Sequence, residues 1–195
     1  LTLDEIRDYF NDSADLLPLI RRLEKMRDEL NLNIEKLYER AKISSEQVKE
    51  MLLPPQLVYR RIYQSGSVAE RTVLLRNTAL EAMRAYGTDI TRRMYFIEYP
   101  IDRPREAAFC VAVPKGNQGE FVVELPEVRA VCLYHHGAYE ELPAIGRQLL
   151  DYAAAHGLTP LGTLRHIYLE GPPQHKDPSK FITQVALPVA ENRKE

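Results

Sequence analysis

The chain has 195 residues, with 26 Lys+Arg set against 28 Asp+Glu for a formal charge of −2. That length suits one mid-sized domain with an extension, and 45% hydrophobic with 28% charged residues argues against wholesale disorder. Its longest apolar run, Ala107–Val113, spans seven residues against the roughly 20 that a membrane-crossing helix needs, and the acidic opening Asp4, Glu5, Asp8, Asp12 and Asp15 is unlike a signal peptide. A cytoplasmic protein without membrane contact is therefore expected. Two cysteines, Cys110 and Cys132, have no CxxC spacing, which argues against a disulfide scaffold or a thiolate zinc site. Neither a glycine-rich phosphate loop nor a serine elbow occurs, so no cofactor and no metal are expected. Tyrosine dominates the aromatic set, with 11 Tyr, 5 Phe and no Trp.

From the N-terminus, Thr2–Phe10 reads as a short helix with Thr2 and Glu5 as a capping box, broken at Asn11-Asp12-Ser13. A long amphipathic helix is predicted next, to about Ala41. Leu16, Leu23, Leu30 and Leu37 fall seven apart, and Leu19 and Met26 stand three after the first two. Such a seam either folds back on the chain's own body or pairs with a second subunit, and residues 14–41 are expected to form a homodimer. Asn33 and Arg40 are polar seam positions that would set register. A second helical piece is predicted near Ser45–Leu52, closed by Pro54-Pro55. Residues 1–50 net −3, leaving +1 for the rest, so neither part has the basic face that duplex DNA requires.

After residue 56 the chain repeats itself. Tyr63, Gly66 and Glu70 recur as Tyr134, Gly137 and Glu141; Tyr95–Pro100 recurs near Tyr168–Pro172; Cys110–Pro114 recurs as Gln184–Pro188. Each copy reads strand, helix, strand, strand. The strands are Leu57–Tyr63, Arg92–Glu98 and Ala107–Val113 in the first copy, and Ala130–Tyr134, Leu164–Glu170 and Phe181–Val189 in the second. The helices are Val68–Tyr86 and Glu140–His156, with Gly87 and Gly157 as C-caps. The fold class is therefore α+β, an antiparallel sheet with a helix packed on each half and its other face free for a pseudo-symmetric groove.

Strand alternation selects the groove side chains. If Val58, Ile62, Met94, Phe96, Val131, Leu133, Ile167, Leu169, Val185 and Leu187 face the helices, then Tyr59, Tyr63, Tyr95, Tyr134, His166, Tyr168 and Glu170 share the opposite face. Arg61, Arg93, Cys132 and Gln184 fall there too. Aromatic rings with one carboxylate suit a flat or cationic organic ligand; half-buried sheet tyrosines with solvated hydroxyls are the plainer alternative.

The segments Tyr134–Leu142, Ile167–Pro173 and Phe181–Val189 resemble the GyrI-like effector-binding domain over roughly residues 56–190, and Leu3–Ile6 ahead of a heptad helix resembles a MerR-type regulator. The resemblance implies a remnant of a winged-helix domain at 1–12, a dimerisation helix and linker at 13–53, and an effector-binding domain at 54–195 with copies at about 57–114 and 128–190. It implies a regulator that senses a small, aromatic or lipophilic and in some members cationic effector. Promoter DNA would be contacted through an upstream winged helix, and the chain's start at Leu1 fits a piece of such a protein. The candidate ligand-binding residues are Tyr59, Tyr63, Tyr95, Tyr134, His136, His166, Tyr168 and Glu170. Two residues before the motif tyrosine the resemblance implies a glutamate, and this chain has His166 there. A non-enzymatic role is expected. The alternatives are a GyrI-like hydrolase pairing Tyr134 or Tyr168 with Glu170, and a standalone gyrase-inhibitor-like interaction protein.

Overall fold

The computed structural model describes residues 17–40, 47–87, 95–103 and 105–191. The capped helix expected at 2–10, the winged-helix remnant at 1–12, Leu16, Arg93 and Met94 lie outside the described residues.

Helix α1, Leu17–Arg40, is the predicted amphipathic helix. Of its seam, Leu23, Met26, Leu30 and Leu37 are exposed in the single chain, whereas Leu19 is buried. The following segment differs from expectation. Lys49–Leu53 is a strand, β1, not a helix; it lies antiparallel to Val128–His136, β6, with Lys49 opposite Cys132 and Leu53 opposite Val128. An apolar run this short has no helix-or-strand preference of its own, and a pairing partner about 80 residues downstream decides it. The sheet thus takes in residues that the sequence assigned to the linker.

The duplicated unit is present. Strand β2 is Gln56–Gln64, helix α2 is Val68–Tyr86, and strands β3 and β4 are Tyr95–Pro100 and Glu106–Ala112. In the second copy β6 leads, through a short 3-10 turn at Tyr139–Glu141, to helix α3, Leu142–Ala155, and then to β8, Thr163–Glu170, and β9, Ile182–Glu191. Two short strands were not foreseen: β5, Val122–Leu125, on β2, and β7, Leu158–Pro160, on β9. Local chemistry fixes the α2 ends. Ser67 accepts the Glu70 N–H at 3.2 Å, the Glu70 carboxylate accepts the Gly66 N–H at 2.8 Å, and Gly87 closes the helix at φ 77°.

The strand order is β1-β6-β9-β8-β3-β4-β2-β5, every pairing antiparallel. The triplets β6-β9-β8 and β3-β4-β2 are mirror-ordered about the β8–β3 seam, so the two copies meet at their third elements in the middle of the sheet. Glu98 and Arg165 stand opposite each other across that seam and form a buried ion pair, with Nε and Nη2 at 3.1 and 2.8 Å from Oε1. Arg60 Nε approaches the other carboxylate oxygen at 3.6 Å.

Both sheet faces are buried, which overturns the expected open groove. Away from the helices, the curled sheet closes on itself over Val58, Phe96, Ala108, Cys110, Ala130, Cys132, Ile167 and Ala186, with Leu53 of β1 joining this core. Alanine and cysteine side chains are small enough to let the sheet curl onto itself there. On the other face α3 covers Val131, Leu133, Val185 and Leu187, and α2 covers Tyr59, Val111, Ile97, Tyr99 and Phe109.

Candidate functional site

A cleft of about 670 Å³ opens on the helix face of the sheet, between α2 and the α3 side. Its floor is the β3–β8 seam, where Tyr95, Ile97 and Tyr99 alternate along one strand and His166 and Tyr168 along the other. One wall is a single stripe of α2: Val68, Arg71, Thr72, Leu75, Arg76, Ala79, Leu80 and Met83 recur at three- and four-residue spacing. The opposite wall is Tyr139, Leu142 and Pro143 with the loop Gly171–Gln174, and Leu32 of α1 lies at the margin. Among the described residues lining it there is no carboxylate.

The tyrosines interlock. Tyr139 meets Tyr168 edge-on at 5.2 Å and Phe181 at 5.0 Å, and Tyr99 tilts against His166 at 4.6 Å. The Tyr99 and Tyr168 hydroxyls hydrogen-bond each other. Gly171 is required by this packing, because a Cβ there would sit 2.3 Å from the Tyr139 hydroxyl. Burial pushes the Tyr168 hydroxyl well above the usual tyrosine range and Tyr139 up to about 12, so both are neutral hydrogen-bonding groups at any physiological pH. His166 is buried and, with the Arg71 guanidinium nearby, its pKa falls to about 3, so it is a neutral imidazole. Arg71 donates from Nε to Ser65 Oγ at 3.1 Å, and its guanidinium carbon lies 5.2 Å from the Tyr99 ring centroid.

The eight candidate residues separate. Tyr95, His166 and Tyr168 line the cleft. Tyr59 and Tyr63 share its sheet face without lining it. The Tyr59 hydroxyl donates to Glu81 at 2.9 Å and accepts from Arg61 at 3.0 Å, tying β2 to α2, while Tyr63 packs edge-on to Phe109 at 5.6 Å. Tyr134 and His136 are on the other face, in register with Ala130 and Cys132 of the closed core. Glu170 leaves the Tyr168 face because the β8–β9 ladder is irregular at Leu169. Tyr168 pairs with Thr183 but Glu170 pairs with Ile182, so one extra residue turns the carboxylate to the opposite side. There it meets His175 Nε2 at 2.5 Å. The expectation of one shared face is corrected accordingly: of the two pairs that a hydrolase would use, Tyr168–Glu170 is split across the sheet, whereas Tyr134 and Glu170 share the face away from the helices. Tyr99, Tyr139 and Arg71 were missed. The α2 stripe and the Tyr95–Ile97–Tyr99 alternation were the available signals.

Among the described residues no group of three or more His, Cys, Asp or Glu could hold a metal ion, and no helix is long and apolar enough to cross a membrane. Comparison with known proteins follows the same lines. Residues 101–190 match the family model of the GyrI-like small molecule binding domain. The crystal structure of the EcmrR C-terminal domain is 22% identical, with a TM-score of 0.68 over 75% of this chain and 98% of that one. EcmrR in its DNA complex, EcmrR-RPo, is 19% identical, with a TM-score of 0.67 over 98% of this chain and 78% of that one. SAV2435 bound to tetraphenylphosphonium is 14% identical over 74% of this chain and 94% of that one, and a hydrolase from Listeria innocua is 13% identical over 78% and 98%; both have a TM-score of 0.51. No curated protein matches the sequence. At these identities the structural likenesses define the fold alone: residues 101–190 are similar to the GyrI-like small molecule binding domain, within a chain folded like the EcmrR C-terminal domain.

Proposed function

We propose that this chain is the effector-binding and dimerising part of a transcription regulator, and that the helix-face cleft takes a small lipophilic or aromatic molecule. The observation that carries the reading is the cleft itself. It lies on the seam between two copies of one unit, is walled by four tyrosines and a helix stripe, and has a volume within the ~300–1,000 Å³ of small-molecule sites. A site on that seam is touched by both halves, so a bound molecule bears on how they sit together. The exposed Leu23, Met26, Leu30 and Leu37 give α1 an apolar stripe that a second copy would cover. Promoter contact is assigned to an upstream winged helix, in keeping with the likeness of nearly the whole chain to a regulator held on DNA. The cellular compartment is the cytoplasm, and the ligand is bound, not turned over.

Ala79 lines the cleft from α2, and Trp in its place fills it. In a thermal-shift screen of small aromatic compounds, those that raise the Tm of the parent chain by several degrees are expected to leave Ala79→Trp unmoved. Equal shifts in both proteins would place binding elsewhere.

A further inference from the structure

The charge of the ligand can be read from what surrounds the cleft. Arg71 is the inner cation, and Arg76 of the same stripe is exposed. Glu70, Glu81 and Glu141 of the flanking elements are engaged elsewhere. Glu70 accepts the Gly66 N–H, Glu81 holds Tyr59 and Arg61, and Glu141 lies 3.2 Å from His135. Glu98 and Glu170 are on the opposite face, with Arg165 and His175. Among the described residues, the ion pairs around the cleft are made by Arg60, Arg61, Arg165, His135 and His175, and none joins a carboxylate to Arg71. Its guanidinium is held by Nε on buried Ser65 and by a hydrogen bond to the Tyr99 side chain, and its Nη groups stand beside the tyrosines with more N–H donors than these two partners use. His166 is neutral beside it and supplies no opposing charge.

A cation in an apolar, partly enclosed cleft is poorly screened, so the site favours a ligand charge of opposite sign and disfavours a second cation. A guanidinium pinned at one nitrogen is pre-organised for a planar acid group. On the reading of this cleft as the effector site, we propose that the effector is a lipophilic organic anion, with a carboxylate or similar acid group on Arg71 and its apolar body among Tyr95, Tyr99, Tyr139 and Tyr168.

The test uses three probes of one shape: 2-naphthoate, 2-naphthylmethanol and 2-naphthylmethylammonium, titrated calorimetrically into the whole chain and its variants. Naphthoate is expected to bind about tenfold or more tighter than the alcohol, and the ammonium compound most weakly. Arg71→Gln should bring naphthoate to within about twofold of the alcohol, and an unchanged circular dichroism spectrum shows that the variant is folded. Arg71→Lys should recover part of the preference. Equal binding of acid and alcohol, preference for the ammonium compound, or an acid preference indifferent to Arg71→Gln would overturn the anion proposal while leaving the cleft as a binding site. Binding of all three that survives Ala79→Trp, or no binding of any, would overturn both.

Discussion

His166 occupies the position where the family resemblance implies a glutamate, and its surroundings decide what it can do. It is buried under Tyr99 with the Arg71 guanidinium close by, and both burial and that charge oppose protonation. The folded pKa of about 3 lies below the ordinary 6.5, so below pH 6.5 the unfolded chain takes up a proton that the folded chain refuses. The stability contributed by keeping this imidazole neutral is complete above pH 6.5 and declines as pH falls toward 3. One proton of difference corresponds to a slope of about 1.4 kcal/mol per pH unit. Urea unfolding between pH 4 and 6 should therefore show a steeper loss of stability for the parent than for His166→Gln. Parallel curves would mean that His166 is protonated in the fold. Glu170 fails as a substitute for the family carboxylate for a reason no alternation rule could reveal: the irregularity at Leu169 is a property of β8 pairing with β9.

At the level of elements, much was legible. Helix α2 was predicted at its observed limits, because the apolar spacing and Gly87 are local signals; the Ser67 cap emerges only in the structure. The duplication gave the strand–helix–strand–strand order through matched blocks. Face assignment succeeded for Val131, Leu133, Val185 and Leu187, and inverted for Val58, Phe96 and Ile167. The reason is that both faces are buried. Hydrophobicity separates inside from outside only when one face is wet, and here Phe96 and Tyr95 are neighbours on opposite sides, each in a packed core. The seam between the copies has its own lock in Glu98–Arg165, a pair set by register and flanked by Arg60. Glu98→Ala leaves Arg165 charged, buried and unpartnered at that position. It is expected to lower unfolding free energy by about 3–5 kcal/mol in urea denaturation. A loss below 1 kcal/mol would show that the pair is readily solvated.

For the whole molecule, composition proved more telling than net charge. The near-neutral chain hides a local imbalance, with Arg71 and Arg76 lining a cleft that no described carboxylate enters. The tyrosine excess marks the sheet interior, but not as one face. Tyr95, Tyr99, Tyr139 and Tyr168 wall the cleft, Tyr59 and Tyr63 fasten α2 and the sheet beside it, and Tyr134 lies on the closed side. A molecule in the cleft touches β3, β8, α2 and the α3 side at once, with α1 at the margin through Leu32. That contact offers a physical route from a bound molecule to α1.

The tyrosine ring resonances report on both faces of the sheet at once. Two-dimensional carbon–proton spectra of ring-labelled tyrosine, recorded with and without saturating 2-naphthoate, should show the largest shifts at Tyr95, Tyr99, Tyr139 and Tyr168, smaller ones at Tyr59 and Tyr63, and none at Tyr134. Shifts centred on Tyr134, or no shift at the four cleft tyrosines, would contradict the assignment of the helix-face cleft as the effector site.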